Sequence, residues 1–214
     1  MPVGPSQACS SDPDALPDAR KGYGLPLFDS HRMTTGKSVP AIGFLTVTEH
    51  AEHGLFGGYL ILNVSGRPLE FHCTAPLKPS RAQEILYGPT LRPFLFGEQI
   101  GQTLLAKAKV KPLLVCTDAE AMLAAREFSE VPLLLLQTTE ESDLKTSYFG
   151  ESFALGRRRV FAACGHSDDQ GIAMERWSTV HSDSLDLLEP FTRIREALEE
   201  AQKTVRPTPV TAAA

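Results

Sequence analysis

The sequence predicts an α/β protein, or an α+β one, in which a mixed sheet is covered by helices. An antiparallel hairpin comes early in the ordered region, and two continuous apolar segments then bracket a short helical segment. Such apolar runs are typical of parallel strands that are covered on both faces, so they indicate a β-α-β unit. A C-terminal amphipathic helix completes the prediction. A hydrophobic content of 42% supplies enough apolar surface for a core.

Composition divides the chain into three parts. The first 40 residues contain six of the 16 prolines, among Ser, Asp and Gly, without a helical or strand period. We expect a disordered arm at 1–39, a single α/β domain at 40–203 and a disordered tail at 204–214, where prolines again interrupt the chain.

The first strand is predicted at 41–48, and strands at 58–64 and 67–73 form a hairpin around Ser65-Gly66. A two-residue turn predicts the pairs Val64–Arg67, Leu62–Leu69, Leu60–Phe71 and Tyr59–His72. Alternation along the strands then assigns five residues to the core face, namely Leu60, Leu62, Leu69, Phe71 and Cys73. The residues assigned to the opposite face are Tyr59, Ile61, Glu70 and His72.

The middle of the sequence alternates between helical and strand patterns. Ser80 is placed to cap a helix at 81–87, and a second helical stretch follows at about 94–109. Strands at 112–116 and 131–136 flank a short helix at 119–126, for which Asp118 is the predicted cap.

The last third is less regular. Residues 138–150 are predicted to be a polar connection, and 158–164 and 172–177 an antiparallel strand pair. Pro190 suits the first turn of a helix that extends to about Lys203, with an apolar stripe of Phe191, Ile194, Leu198 and Ala201.

Charge and cysteine content predict the compartment and exclude some partners. A formal charge of -5 disfavours binding to phosphate backbones or anionic membranes, so no nucleic-acid partner and no membrane are expected. No apolar run approaches the length of a membrane span. The four cysteines are far apart, which favours reduced thiols and a cytoplasmic location.

Several short motifs have both a functional and a structural interpretation, and the structural one is preferred for each. Gly36-Lys37-Ser38 lacks the first glycine and the preceding strand of a phosphate loop. Cys116, at a strand end, is interpreted as a core cysteine rather than a nucleophile. Cys164, His166, Asp168 and Asp169 fit a polar turn as well as a metal site. The arginines at 157–159 fit a solvated strand edge.

Three histidines form the strongest candidate site. His50 and His53 lie in the loop after the first strand, and the hairpin register places His72 opposite Tyr59. If the loop returns beside Tyr59, the three imidazoles converge and could bind a divalent metal such as zinc. Glu52 or Glu70 would then serve as general base. The structural alternative is that these are surface histidines.

Two function classes follow from these observations. The preferred hypothesis is a soluble, non-catalytic α/β binding or scaffold protein with a protein or small-ligand partner and no cofactor. The alternative is a metal-dependent hydrolase that uses His50, His53 and His72. A third site, near Cys116, Thr117 and Gln137, rests only on the rule that open α/β sheets bind ligands at the carboxyl ends of their strands.

Overall fold

A seven-stranded mixed sheet forms the centre of the protein in a computed structural model that describes residues 39–136, 149–180 and 185–205. The strand order is β3-β2-β1-β4-β5-β7-β6. In chain order the strands are β1 (Ala41–His50), β2 (Gly54–Asn63), β3 (Pro68–Cys73), β4 (Leu114–Thr117), β5 (Leu133–Leu136), β6 (Phe149–Leu155) and β7 (Arg158–Ala163). Strands β1, β4 and β5 are parallel neighbours, whereas the other pairings are antiparallel. The predicted α/β class with a mixed sheet is confirmed.

Six helices accompany this sheet in the described part of the chain. They are α1 (Arg81–Tyr87), the π-helical α2 (Phe94–Gly101), α3 (Gln102–Lys107), the 3-10 helix α4 (Glu120–Phe128), α5 (Asp168–Ser178) and α6 (Glu189–Val205). Single helical turns at Gly88–Thr90 and Leu91–Pro93 connect α1 to α2. Ser80 caps α1 as predicted, because its side chain accepts a hydrogen bond from the Gln83 amide.

The core has two layers, one on each face of the sheet. Helices α5 and α6 cover the face to which Phe44 points, and the ring of Phe191 meets Phe44 edge-on with centroids 5.7 Å apart. Helices α2, α3 and α4 cover the face to which Leu45 points. Because successive side chains of a strand point to opposite faces, β1 and β2 contribute side chains to both layers.

The hairpin register is partly as predicted. Tyr59 pairs with His72 and Leu60 with Phe71, which confirms the predicted register in the half of the hairpin farther from the turn. An irregularity after Ile61 places Leu62 opposite Pro68, so the predicted pairs Leu62–Leu69 and Val64–Arg67 are wrong. The turn is longer than two residues, since the Asn63 amide bonds to the Arg67 carbonyl.

The predicted core face of the hairpin is also corrected. Leu60 and Leu62 are buried, but Leu69 is 41% exposed and Phe71 39% exposed. The strand β3 lies at the edge of the sheet, and the helices of that face cover β1 and β2 instead. Tyr59, assigned to the outer face, is buried because β2 is covered on both sides.

The C-terminal strand pair was predicted with the wrong partner. Residues 172–177 belong to α5, whose first turn carries Asp168 and the buried Asp169. The partner of β7 is β6, which begins inside the segment predicted to be a connection. Acidic residues at the start of α5 stabilise the helix because they interact favourably with the positive end of its macrodipole. The strand prediction did not take this preference into account.

Some predictions fall on residues outside the described ranges. They include nearly all of the predicted arm at 1–39, most of the tail at 204–214 and the Gly36-Lys37-Ser38 motif. Helix α6 extends to Val205, two residues beyond the predicted end. Within the described residues, no helix combines the length and apolar character needed to cross a bilayer.

Candidate functional site at the carboxyl ends of the parallel strands

A hydrogen bond joins β1 to the residue that follows β4. These strands are parallel neighbours, and their last paired residues are Leu45 and Thr117. The next residue on each side is Thr46 and Asp118, and the Thr46 hydroxyl donates to Asp118 Oδ1 at 2.6 Å. The carboxyl ends of adjacent parallel strands are where open α/β sheets bind ligands. A polar pair therefore lies at the position where this fold places a site.

Arg195 of α6 completes the cluster. Its Nη2 donates to Asp118 Oδ2, so both carboxylate oxygens of Asp118 are satisfied. The Asp118 side chain is only 5% exposed, whereas the Arg195 side chain is 43% exposed. A buried carboxylate requires such a partner, because an unpaired charge is costly away from water. Asp118 thus holds a partly exposed guanidinium over the strand ends.

Helix α6 comes close enough to make this contact because β2 has a glycine beneath it. Gly58 lies opposite Thr46, and a Cβ on Gly58 would be 2.3 Å from Ile194 Cγ2. The absence of a side chain lets Ile194 lie directly on the strand, which places the next residue, Arg195, at the site. The predicted role of Asp118 as a helix cap is wrong, since α4 has no side-chain cap.

Two polar side-chain atoms in this region are buried and have no hydrogen-bond partner among the described residues. Thr48 follows Thr46 by two residues, so it points to the same face of β1, and its hydroxyl oxygen has no hydrogen bond. Glu120 follows Asp118 by two residues, and its Oε1 is likewise buried and unpartnered. Buried polar groups are usually hydrogen-bonded, so a bound water, ion or ligand is one way in which these two atoms would be satisfied.

A second arginine lies at the same edge on the other face of the sheet. Arg92 forms an ion pair with Glu49, the penultimate residue of β1, and its guanidinium lies 5.2 Å from the centroid of the Phe96 ring. Cavities of about 310 and 420 Å³ border Arg92 and Phe96, and the larger one also reaches Glu120. Arginines therefore flank the end of β1 on both faces.

The structure separates the three predicted metal-binding histidines into two places. His50 and His53 stack at the turn after β1, with ring centroids 4.6 Å apart. His72 pairs with Tyr59, whereas the turn closes at the pair His50 and Gly54. Tyr59 is five positions along β2 from Gly54, roughly 17 Å of extended strand. The loop does not return beside Tyr59, so the three imidazoles do not meet.

His72 forms a hydrogen bond with a carboxylate instead. Its Nε2 lies 3.0 Å from Glu70 Oε2, and the same carboxylate accepts hydrogen bonds from the amides of Lys109 and Val110. Burial acts to raise the pKa of Glu70, but these hydrogen bonds outweigh it and keep the pKa below its usual range. A carboxylate stabilised in this way is a weak base, which does not suit the predicted role in hydrolysis.

The donor set for a metal ion is missing from the residues that can be described. Among them, no three His, Cys, Asp or Glu side chains form a group that could hold an ion. Asp118, the carboxylate at the strand ends, already has both oxygens engaged. The alternative hypothesis of a metal-dependent hydrolase that uses His50, His53 and His72 therefore has no fitting metal site in these ranges.

The remaining motifs have structural roles. Complete burial raises the pKa of the Cys116 thiol to about 12, which keeps it protonated and unreactive. Asp169 forms a buried ion pair with Arg126, and the ring of His166 lies 3.6 Å from the Glu127 carboxylate. Thr117 is buried next to Cys116, and Gln137 lies outside the described residues.

Fold and site together define an α/β protein with a polar cluster at the carboxyl ends of its parallel strands. No protein-family model matches the sequence, and no curated protein matches it. Solved structures with a related arrangement include the catalytic domain of human endonuclease V, at 15% identity and a TM-score of 0.44, over 77% of this chain and 85% of that one. Another is Ciona intestinalis endonuclease V in complex with a DNA 24-mer that contains inosine. It has 12% identity and a TM-score of 0.45, and the match covers 78% of this chain and 88% of that one.

This finding corrects two predictions. The similar structures are nucleases, one of them bound to DNA, which contradicts the predicted non-catalytic binding or scaffold protein and the predicted absence of a nucleic-acid partner. The prediction relied on the net charge of -5, which averages over the whole chain and says nothing about charge at one edge of the sheet. At these identities the likeness concerns the fold, and it assigns no activity to this chain.

The sequence contained signals for the cluster that the prediction did not use. Asp118 directly follows a buried strand. An aspartate in that position is consistent with a site at the carboxyl end of a parallel strand as well as with a helix cap. Arg195 adjoins Ile194 of the apolar stripe, so it lies at the border between the buried and exposed faces of α6. Thr46 offered no signal, because threonine is common in strands.

Proposed function

We propose that the protein binds nucleic acid across the carboxyl ends of β1 and β4, with Arg195 contacting a backbone phosphate. The observation that carries this proposal is the ion pair in which the buried Asp118 holds a 43% exposed Arg195 at the strand ends. A guanidinium has five N–H donors in a planar fork that matches phosphate oxygens. Only its Nη2 is engaged by Asp118, which leaves donors for a ligand.

Positioning by Asp118 lowers the cost of binding. A free arginine side chain loses rotamer freedom when it contacts a ligand, about 0.5 to 1.5 kcal/mol for a flexible side chain. Arg195 has already lost much of that freedom in forming the ion pair. The pair is neutral as a whole, however, so a single phosphate contact would be weak and several contacts are needed.

Arg92 supplies a second contact. It is 66% exposed and is anchored by Glu49 at the same edge of the sheet, but on the opposite face from Arg195. Two anchored arginines on either side of a strand end suit an extended polyanion better than a small phosphate ester in a closed pocket. This arrangement favours a nucleic-acid strand as the ligand.

The test is fluorescence anisotropy with labelled single-stranded 20-mers of DNA and RNA, titrated over a range of salt concentrations. We expect Arg195→Gln to weaken binding about tenfold. Its slope of log affinity against log salt should fall by about 0.7, the value for one lost phosphate contact on a single strand. Resolving the same incubations on denaturing gels measures cleavage of the strand.

Arg193→Gln is the matched control, because Arg193 lies on the same helix but bonds to Glu189 and the Gly66 carbonyl rather than to Asp118. Equal affinities and salt slopes for Arg195→Gln and Arg193→Gln would overturn the proposal. Melting curves check that each variant folds. If Arg195→Gln unfolds, Arg195→Lys keeps a cation beside Asp118 but loses the fork, and an intermediate loss of affinity is expected.

A further inference from the structure

A third cavity lies at the opposite end of the sheet, at the amino ends of β4 and β5. It has a volume of about 350 Å³, within the range of small-molecule pockets. Its walls include Leu105 and Ala108 from the end of α3, Val115 from β4, and Phe128 and Val131 from the segment that joins α4 to β5. The lining is mostly apolar, and its polar groups come from Gln102, Lys111, Ser129 and Glu130.

One polar atom of the sheet reaches this cavity. Tyr59 borders it and is 1% exposed, yet no hydrogen bond joins its hydroxyl to any described residue. The ring extends across the neighbouring strand, since a Cβ on Gly43 would be 2.7 Å from the Tyr59 hydroxyl oxygen. Because Tyr59 lines the cavity and its hydroxyl has no partner among the described residues, that hydroxyl is available to a molecule bound there.

The charge state of Tyr59 limits the chemistry of that ligand. Burial raises the pKa of the phenol well above its usual range, and the nearby negative charge of Glu70 raises it further. The phenol is neutral at physiological pH and can donate or accept one hydrogen bond. The same carboxylate disfavours a ligand with a negatively charged group at this point.

We propose that this cavity is a binding site for a neutral, mainly apolar molecule that carries one hydroxyl or carbonyl group, which hydrogen-bonds to Tyr59. The site is separate from the carboxyl edge where nucleic acid is proposed to bind, and neither proposal depends on the other. Apolar walls supply most of the affinity, and the single phenol orients the molecule.

Two probes of nearly equal shape separate the hydrogen bond from apolar burial. The first is 1-naphthol, which has one hydroxyl, and the second is naphthalene, which has none. Binding to the full chain is measured by the fluorescence of each probe. We expect Tyr59→Phe to weaken 1-naphthol binding about fivefold, the loss expected for one neutral hydrogen bond. Naphthalene binding should be unchanged.

A blocking variant tests the location. Ala108→Trp places an indole in the cavity and should abolish binding of both probes, whereas Ala82→Trp, at an exposed position of α1, should leave both unchanged. Melting curves verify that each variant is folded, and Val131→Phe replaces Ala108→Trp if the latter is not. Equal losses of 1-naphthol and naphthalene in Tyr59→Phe, or unchanged binding in a folded blocking variant, would overturn the proposal. Failure of either probe to bind the unmodified protein would do the same.

Discussion

The Thr46 hydroxyl and the Asp118 carboxylate lie 2.6 Å apart, although 72 positions separate them in the chain. The contact exists because β1 and β4 are parallel neighbours in register, so that the residues following the pair Leu45 and Thr117 meet at the same edge. Asp118 in turn determines where Arg195 lies. One carboxylate therefore connects two strands and the last helix.

Removing that carboxylate should destabilise the protein. Asp118→Ala would leave the Thr46 hydroxyl and the Arg195 guanidinium without their shared acceptor. We expect a loss of about 2 kcal/mol in the free energy of unfolding, below the usual cost of breaking a buried pair because Arg195 is partly solvated. Urea unfolding measures it. A loss below about 0.5 kcal/mol would show that the cluster contributes little to α6 docking.

The glycine beneath α6 should not tolerate a side chain. Gly58→Val would place a methyl group inside the van der Waals radius of Ile194, since even a Cβ would lie 2.3 Å from its Cγ2. We expect severe destabilisation, about 3 kcal/mol or more. Gly171→Ala in α5 is the matched control: no atom lies within 4 Å of its Cβ position, and alanine favours a helix. Thermal melting compares the two variants.

The buried ion pair between Arg126 and Asp169 should matter far more than an exposed one. Their side chains are 14% and 2% exposed, and two hydrogen bonds join them. Arg126→Met should cost about 3 kcal/mol or more, because it leaves a buried carboxylate unpaired. Lys203→Met removes the exposed pair with Glu200 and should cost under about 0.5 kcal/mol. Comparable losses in chemical denaturation would contradict this assignment.

Glu70 should give the protein an acid-sensitive component of stability. Its hydrogen bonds with His72 and two backbone amides keep its folded-state pKa below the unfolded value. A depressed pKa means that the stabilisation is present above the unfolded pKa and is lost as the pH falls through the folded one. The stability of Glu70→Gln should therefore fall less steeply between about pH 5 and pH 3 than that of the unmodified protein. Urea titrations across that window measure the difference, and parallel curves would contradict the expectation.

Local patterns in the sequence were sufficient for several elements. Ser80 and Gln83 form the capping box that begins α1, because both partners lie within one helical turn. The apolar runs that became β4 and β5 were recognised because strands covered on both faces need apolar side chains at every position. Phe191, Ile194 and Leu198 are spaced three to four residues apart, so they lie on one face of α6, and that face is buried.

Which surfaces are covered was decided by the tertiary structure. Phe71 alternates correctly with Leu60 on the hairpin, yet it is 39% exposed because β3 lies at the edge of the sheet. Strand order and helix placement depend on contacts distant in sequence, which alternation along one strand cannot specify. The same limit explains why the strand predicted at 172–177 is wrong. These residues have a local β-rich pattern, but they belong to α5, whose buried Asp169 forms an ion pair with Arg126.

The candidate site also combines features that the sequence shows with features that only the tertiary structure shows. The sequence by itself determined that a carboxylate follows a buried strand at Asp118 and that an arginine adjoins the apolar stripe of α6. Only the tertiary structure decided that Arg195 pairs with Asp118 and that His72 lies far from His50. The physical reason is that hydrogen bonds and ion pairs act over about 3 Å. Residues distant in sequence reach that separation only when the register of the sheet and the packing of α6 on Gly58 bring them together.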